Sequence, residues 1–159
     1  MLVLAVSIYA LAMTGANLSV AAFGPAVTPI NAFLLIGLDL ALRDWLHVRL
    51  RRWQMAALIA ATGVLTLLLN PAAGKIAIAS AAAFTAAALV DWSVFQRLIG
   101  KSWTTRANGS NVAGAAVDSL VFPTIAFGAL MPQVVLMQFV AKVAGGAMWT
   151  WLLARVKAQ

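Results

Sequence analysis

The sequence predicts an all-α integral membrane protein: a single domain of six transmembrane helices covering residues 1–159. Three observations predict this fold class: 64% of the residues are hydrophobic, only 9% are charged, and the mean hydropathy is +0.96. An average soluble domain carries about 25% charged residues, so a soluble protein of this composition could not cover its apolar surface. A transmembrane helix needs about 20 mainly apolar residues, and the chain has room for six with short connections.

Gly/Pro, Asn-Pro and basic breaks divide the chain into apolar segments. We predict spans at residues 2–23, 29–46, 53–69, 76–98, 109–131 and 132–153. The first segment has small residues typical of a signal cleavage site, but it lacks a basic amino end and its apolar stretch is long for a signal. The break before Pro132 is the weakest, because proline can begin a helix or kink a continuing one.

The basic residues predict the orientation of the chain. Eight of the eleven Lys and Arg residues fall in alternate connections and at the tail: Arg49, Arg51, Arg52, Arg97, Lys101, Arg106, Arg155 and Lys157. The positive-inside bias therefore predicts that both termini lie in the cytoplasm, and we expect the protein to be integral to the inner membrane. Anionic lipid headgroups account for the net charge of +7 without nucleic acid as a partner.

Ionisable residues inside the predicted spans are the first candidates for function, because each costs about 2.5–3.5 kcal/mol at the bilayer centre. Asp118 and Lys142 lie at similar depth in consecutive antiparallel spans, so we expect them to meet where a ligand or proton could compete for either. Asp39 and Arg43 share one helix face and could equally neutralise each other without a ligand. Asp91 lies nearer the cytoplasmic border, where a gate, a structural pair and a substrate contact all remain open.

Amide and aromatic side chains add to the candidate site. Asn111 begins a stripe at positions 111, 114, 118 and 122 that ends at Phe122 and follows helical spacing. Asn17 and Gln138 fall in the predicted outer half, and Trp92 adjoins Asp91. These groups predict a polar cavity, although small and polar residues suit close helix packing equally well.

Signs of catalysis or metal binding are weak. The chain has no cysteine, one histidine and no glutamate, so it lacks thiol nucleophiles and the usual metal-ligand sets. We expect a protein that is not an enzyme and that binds neither a metal nor another cofactor.

Four motifs carry a family resemblance. They are Leu42-Arg43-Asp44-Trp45-Leu46-His47, Asp91-Trp92-Ser93-Val94-Phe95, Ser110-Asn111-x-x-Gly114-x-x-x-Asp118-Ser119-x-x-Phe122 and Gln138-x-x-x-Lys142. In this order they resemble the VUT family of vitamin uptake transporters, which includes queuosine-precursor transporters. The resemblance covers the second to sixth predicted spans.

The resemblance implies helices related to the substrate-binding components of energy-coupling-factor transporters. It also implies import of a queuosine precursor, a 7-deazaguanine such as cyano-deazaguanine, or a related heterocycle, by alternating access around a polar midplane site. Asp118 could accept the N–H groups of a guanine-like edge, and the donor to the carbonyl beside them could be Asn111, Gln138 or Lys142. Candidates for the aromatic face are Phe122, Phe84 and Trp92. Two alternatives to autonomous import remain: a substrate-binding subunit that docks on a separate ATP-driven module, and a membrane scaffold that transports nothing. Assembly into a homo-oligomer also remains open.

Overall fold

The described residues form seven α-helices joined by short turns. A computed structural model describes residues 2–47 and 49–157, without the side chains of residues 43–45, 47, 52, 103, 104, 106, 107 and 154–157. The helices are α1 (Leu2–Phe23), α2 (Thr28–Asn31), α3 (Gly37–His47), α4 (Arg52–Leu69), α5 (Gly74–Arg97), α6 (Trp103–Phe127) and α7 (Pro132–Lys157).

A π-helical segment, Ala32–Ile36, joins α2 to α3. Asn31 and Gly37, which flank it, both have right-handed helical backbone angles, so the chain is helical from Thr28 to His47. Twenty residues at 1.5 Å each give a helix of about 30 Å. This continuous helix coincides with the predicted span at 29–46, but the wider turn inside it was not predicted.

Helices were predicted in the right places, with differences at their ends. The predicted span 109–131 differs most, because α6 already begins at Trp103 and ends at Phe127. Gly128 terminates it with a φ of 76°, a left-handed conformation that glycine adopts without a Cβ clash. The predicted break before Pro132 is present, since α7 begins there.

Four stretches of the described residues are long and apolar enough to cross a membrane: Leu2–Leu42, Pro71–Arg97, Asn108–Phe127 and Pro132–Leu153. Trp53–Leu69 is a shorter apolar helix. The first stretch turns at Gly24, which has a φ of 68°, and α3 packs back against α1. The exposed apolar side chains, such as Val3 and Leu68 at 78% and 76% exposure, suit contact with lipid.

Two apolar clusters lie inside the helix bundle. The Tyr9 cluster contains Ala5, Tyr9, Met13, Leu42, Leu46, Met55 and Phe84. The Val20 cluster contains Val20, Ile76, Ala79 and Ala126, with Phe122 and Phe127 packed against it. On α1, Asn17 comes between Met13 of the Tyr9 cluster and Val20 of the Val20 cluster, so a polar residue separates the two apolar groups along this helix.

Glycines allow the π-helical segment and α3 to approach α7 closely. A Cβ added to Gly37 would lie 2.7 Å from the carbonyl carbon of Gly145, and one added to Gly145 would overlap the carbonyl of Phe33. Trp149 of α7 also donates from Nε1 to the carbonyl oxygen of Leu34, at 2.9 Å. The wider helical turn is therefore held directly against α7.

Candidate functional site

A cavity of about 650 Å³, a volume that includes its opening, lies among the helices. Side chains from α1, α2, α3, α5, α6, α7 and the π-helical segment line it. Its polar lining residues are Asn17, Thr28, Asn31, Asp39, Ser80, Asp118, Gln138 and Lys142. The lining also includes members of both apolar clusters, so the cavity lies between the Tyr9 cluster and the Val20 cluster.

An ion pair joins α6 and α7 at the cavity wall. The Nζ of Lys142 donates to Oδ2 of Asp118, and the two side chains are 3% and 22% exposed. Lys142 also donates to Oε1 of Gln138 at 3.1 Å. The expected meeting of Asp118 and Lys142 is thus observed, and three polar side chains form one hydrogen-bonded group facing the cavity.

Helical spacing explains how these side chains share a wall. Gln138 and Lys142 are four residues apart on α7 and therefore lie on the same face. On α6 the predicted stripe places Gly114, Asp118 and Phe122 along the cavity. Asn111, the first member of that stripe, is half-buried and is not a lining residue.

Amides of α1 and α2 form another part of the wall. Asn31 donates from Nδ2 to the carbonyl oxygen of Ala16 at 3.2 Å and to Oγ of Ser19 at 2.6 Å. Asn17 donates from Nδ2 to Oγ1 of Thr66 at 3.4 Å. Both asparagines are buried, and these hydrogen bonds hold their side chains beside the cavity.

Asp39 also lines the cavity and is 2% exposed. The side chain of Arg43 lies outside the described part of the chain, so the proposed pairing of Arg43 with Asp39 stays a prediction. Among the described lining residues the charged groups are two carboxylates and one ammonium, namely Asp39, Asp118 and Lys142.

Asp91 and Trp92 lie away from the cavity lining. A Cβ added to Gly114 would lie 3.4 Å from the Cβ of Asp91, which places Asp91 against α6. Its Oδ1 is buried and has no hydrogen-bond partner among the described residues. Trp92 is 56% exposed, whereas Phe84 and Phe122, the other aromatic candidates, both line the cavity.

Three further polar lining residues, Thr28, Asn31 and Ser80, were not among the predicted site residues. Asn31 had a signal in the sequence, because it is an amide within an apolar span. Thr28 and Ser80 had none, since hydroxyl groups are common in membrane helices and bond to their own backbone. Thr28, for example, donates to the carbonyl oxygen of Pro25 at 2.7 Å.

Within the described part of the chain, no group of three or more His, Cys, Asp or Glu side chains is placed to hold a metal ion. The polar cavity groups instead offer hydrogen-bond donors and acceptors on a largely apolar surface, which is the usual composition of a small-molecule site.

Comparison with protein families agrees with the resemblance seen in the motifs. The model of the family described as "Putative vitamin uptake transporter" matches residues 3–156. Searches of curated proteins and of solved structures found no significant match. Because the family match spans nearly the whole chain, this integral membrane protein belongs to the VUT family of vitamin uptake transporters.

Proposed function

We propose that this protein imports a small flat heterocycle, a queuosine precursor such as the 7-deazaguanine cyano-deazaguanine, by alternating access around the cavity. The observation that carries the proposal is the Asp118–Lys142–Gln138 group in the wall of a mostly apolar cavity. Charged groups inside a membrane are costly and usually mark a functional site.

The chain crosses the inner membrane six times, with both termini in the cytoplasm. Supporting this count, the stretch Leu2–Leu42 has 41 residues, about 60 Å of helix, and it folds back at Gly24. The helix α4 has 18 residues, about 27 Å, which approaches the 30 Å of a hydrocarbon core. The alternating basic connections support the orientation.

The cavity suits a heterocycle with a guanine-like edge. Its lining is mostly apolar, with a few polar side chains that converge on it, which is the usual composition of a small-molecule site. The ring and exocyclic N–H groups of such an edge are hydrogen-bond donors, and the carboxylate of Asp118 can accept from them. Phe84 and Phe122 provide apolar ring surfaces for a planar ligand.

The two apolar clusters support an alternating-access mechanism. Met13 and Phe84 belong to the Tyr9 cluster, Val20 belongs to the Val20 cluster, and all three line the cavity. Separation of one cluster would open the cavity to one side of the membrane while the other cluster stays packed. A ligand bound near Asp118 would thereby become accessible first from one side of the membrane and then from the other, without leaving its site.

Uptake by cells that cannot make the precursor tests this function. Cells expressing this chain alone should accumulate cyano-deazaguanine above cells with an empty vector. The variants Asp118→Asn and Lys142→Met should each lose most of that uptake at equal membrane abundance. Lys101→Met is the matched control, because Lys101 is exposed and does not line the cavity.

The outcomes separate the alternatives. If membrane-inserted wild-type protein produces no uptake, autonomous import is contradicted, and recovery with an ATP-driven module would indicate a docking subunit. If both cavity variants import as well as wild type, the Asp118 site is wrong even though the protein is a transporter.

A further inference from the structure

The hydrogen bond between Lys142 and Gln138 sets the direction of the Gln138 amide. A lysine ammonium can only donate, so the acceptor Oε1 must face Nζ of Lys142, as the 3.1 Å distance between them shows. The reversed amide would place its NH₂ group against the ammonium. The amide of Gln138 therefore has only its donor, Nε2, available for hydrogen bonds to groups other than Lys142.

This donor lacks a partner within the described part of the chain. The Nε2 of Gln138 is buried and makes no hydrogen bond to a described group, and the whole residue is 2% exposed. Buried polar groups in native proteins are nearly always satisfied, and an exception calls for an absent water or ligand. Because Gln138 lines the cavity, a ligand acceptor there would complete its hydrogen bonding.

Asp118 supplies a hydrogen-bond acceptor next to the Gln138 donor. Its Oδ2 accepts from Lys142, which leaves Oδ1 as an acceptor for a ligand N–H. Lys142 bridges the two side chains, because its ammonium donates both to Oδ2 of Asp118 and to Oε1 of Gln138. Asp118 and Gln138 are therefore neighbours in the cavity wall.

We infer that Gln138 is a specificity-determining residue that donates to a ring carbonyl while Asp118 accepts the adjacent ring N–H, so that the site selects a lactam edge. This inference rests on the proposed function and names the feature of the substrate that the site recognises. In a ring with an amino group in place of the carbonyl, the donor and the acceptor of this edge are exchanged. Its amine would face the Gln138 donor and its unprotonated ring nitrogen would face the Asp118 carboxylate.

Rejection of the amino ring should be strong, because Lys142 prevents the Gln138 amide from turning over to fit it. Sites built to hydrogen-bond a substrate reject analogues that leave those groups unpaired by about 10⁴–10⁵-fold at best. Because a bound water or a shifted side chain can relieve part of the mismatch, we expect a preference of about 100-fold or more.

Equilibrium binding to purified full-length protein in detergent tests the inference. The probes are cyano-deazaguanine and its 6-amino counterpart, which differ only at this edge. Wild type should prefer the 6-oxo ligand by about 100-fold, and Gln138→Met should reduce that preference at least tenfold. Gln133→Met is the matched control, because Gln133 is exposed on the same helix, and it should keep the wild-type preference.

Equal affinity of wild type for the two ligands would overturn the lactam selection and leave import itself intact. Absence of binding of either ligand to folded protein would instead overturn the proposed substrate, and the inference with it. A folded Gln138→Met protein that keeps the full preference would overturn the role of Gln138. The comparison of the two ligands on wild type needs no variant, so it tests the lactam selection even if Gln138→Met fails to fold.

Discussion

Lys142 of α7 and Asp118 of α6 form an ion pair at the cavity wall, and the lysine side chain is almost fully buried while the carboxylate is partly open. The two residues are 24 positions apart, so the pair exists only when α6 and α7 are packed. The same ion pair therefore joins α6 to α7 and supplies charged groups to the cavity wall.

Removing one member of the pair should destabilise the protein more than removing both. Asp118→Asn leaves a buried ammonium without its counter-charge, a loss that costs about 3–5 kcal/mol in buried pairs, whereas uncharged replacements of both partners are often neutral. Thermal unfolding in detergent, followed by the fluorescence of the six Trp residues, should give a lower Tm for Asp118→Asn and a near wild-type Tm for Asp118→Asn/Lys142→Met. A single variant as stable as the double variant would contradict this.

The close contact between α3 and α7 should tolerate no side chain at its glycines. Gly145→Ala places a Cβ onto the carbonyl of Phe33, and overpacking of this kind costs about 1–3 kcal/mol or more. The expected result is a clear loss of Tm in detergent. Gly63→Ala is the matched control, because a Cβ there meets no atom within 4 Å and should leave the Tm unchanged or raise it. Equal effects of the two substitutions would show that the α3–α7 approach is looser than described.

Trp149 should stabilise the π-helical segment through one hydrogen bond. Trp149→Phe keeps a ring at this position but removes the donor to the Leu34 carbonyl, so we expect a loss of about 0.5–1.5 kcal/mol in unfolding free energy. Trp92→Phe is the control, since Trp92 is exposed and lies outside the cavity lining. Trp149→Phe with wild-type stability would mean that the carbonyl finds another donor.

The absence of cysteine from the sequence allows the orientation to be tested without background labelling. Lys75→Cys should react with a membrane-impermeant thiol reagent in intact cells, because Lys75 precedes a span on the predicted outer side. Lys101→Cys should react only after the membrane is opened. Both lysines are exposed, so access to the reagent differs only by the side of the membrane. The reverse pattern would place the termini outside.

The helices could be predicted from the sequence because lipid imposes long apolar segments, and proline, glycine and basic residues interrupt them visibly. The end of α6 at Phe127 was predicted four residues too late, at 131, since the stretch after Gly128 is still apolar and only the backbone angle of that glycine marks the end. The π-helical segment could not be predicted, because the contacts that hold it are tertiary: Gly145 and Trp149 of another helix contact its carbonyl groups.

The candidate site was partly predictable for a similar reason. Six of the ten predicted site residues line the cavity: Asn17, Asp39, Asp118, Phe122, Gln138 and Lys142. Charges deep in an apolar span can be read from the sequence, and so can their helical spacing. Whether a half-buried group such as Asp91 faces the cavity or a neighbouring helix depends on the rotation of its helix about its own axis. The sequence does not specify that rotation, and in the structure Asp91 lies against α6 at Gly114.

Binding of radiolabelled cyano-deazaguanine to purified protein, compared between wild type and Asp118→Asn/Lys142→Met, tests most directly whether Asp118 and Lys142 form the substrate site. This double variant removes both charges of the pair, and its folding is checked by its Tm. We expect saturable binding to wild type and a loss of at least tenfold in affinity for the folded double variant. Equal binding by the two proteins would contradict a substrate site built on Asp118 and Lys142.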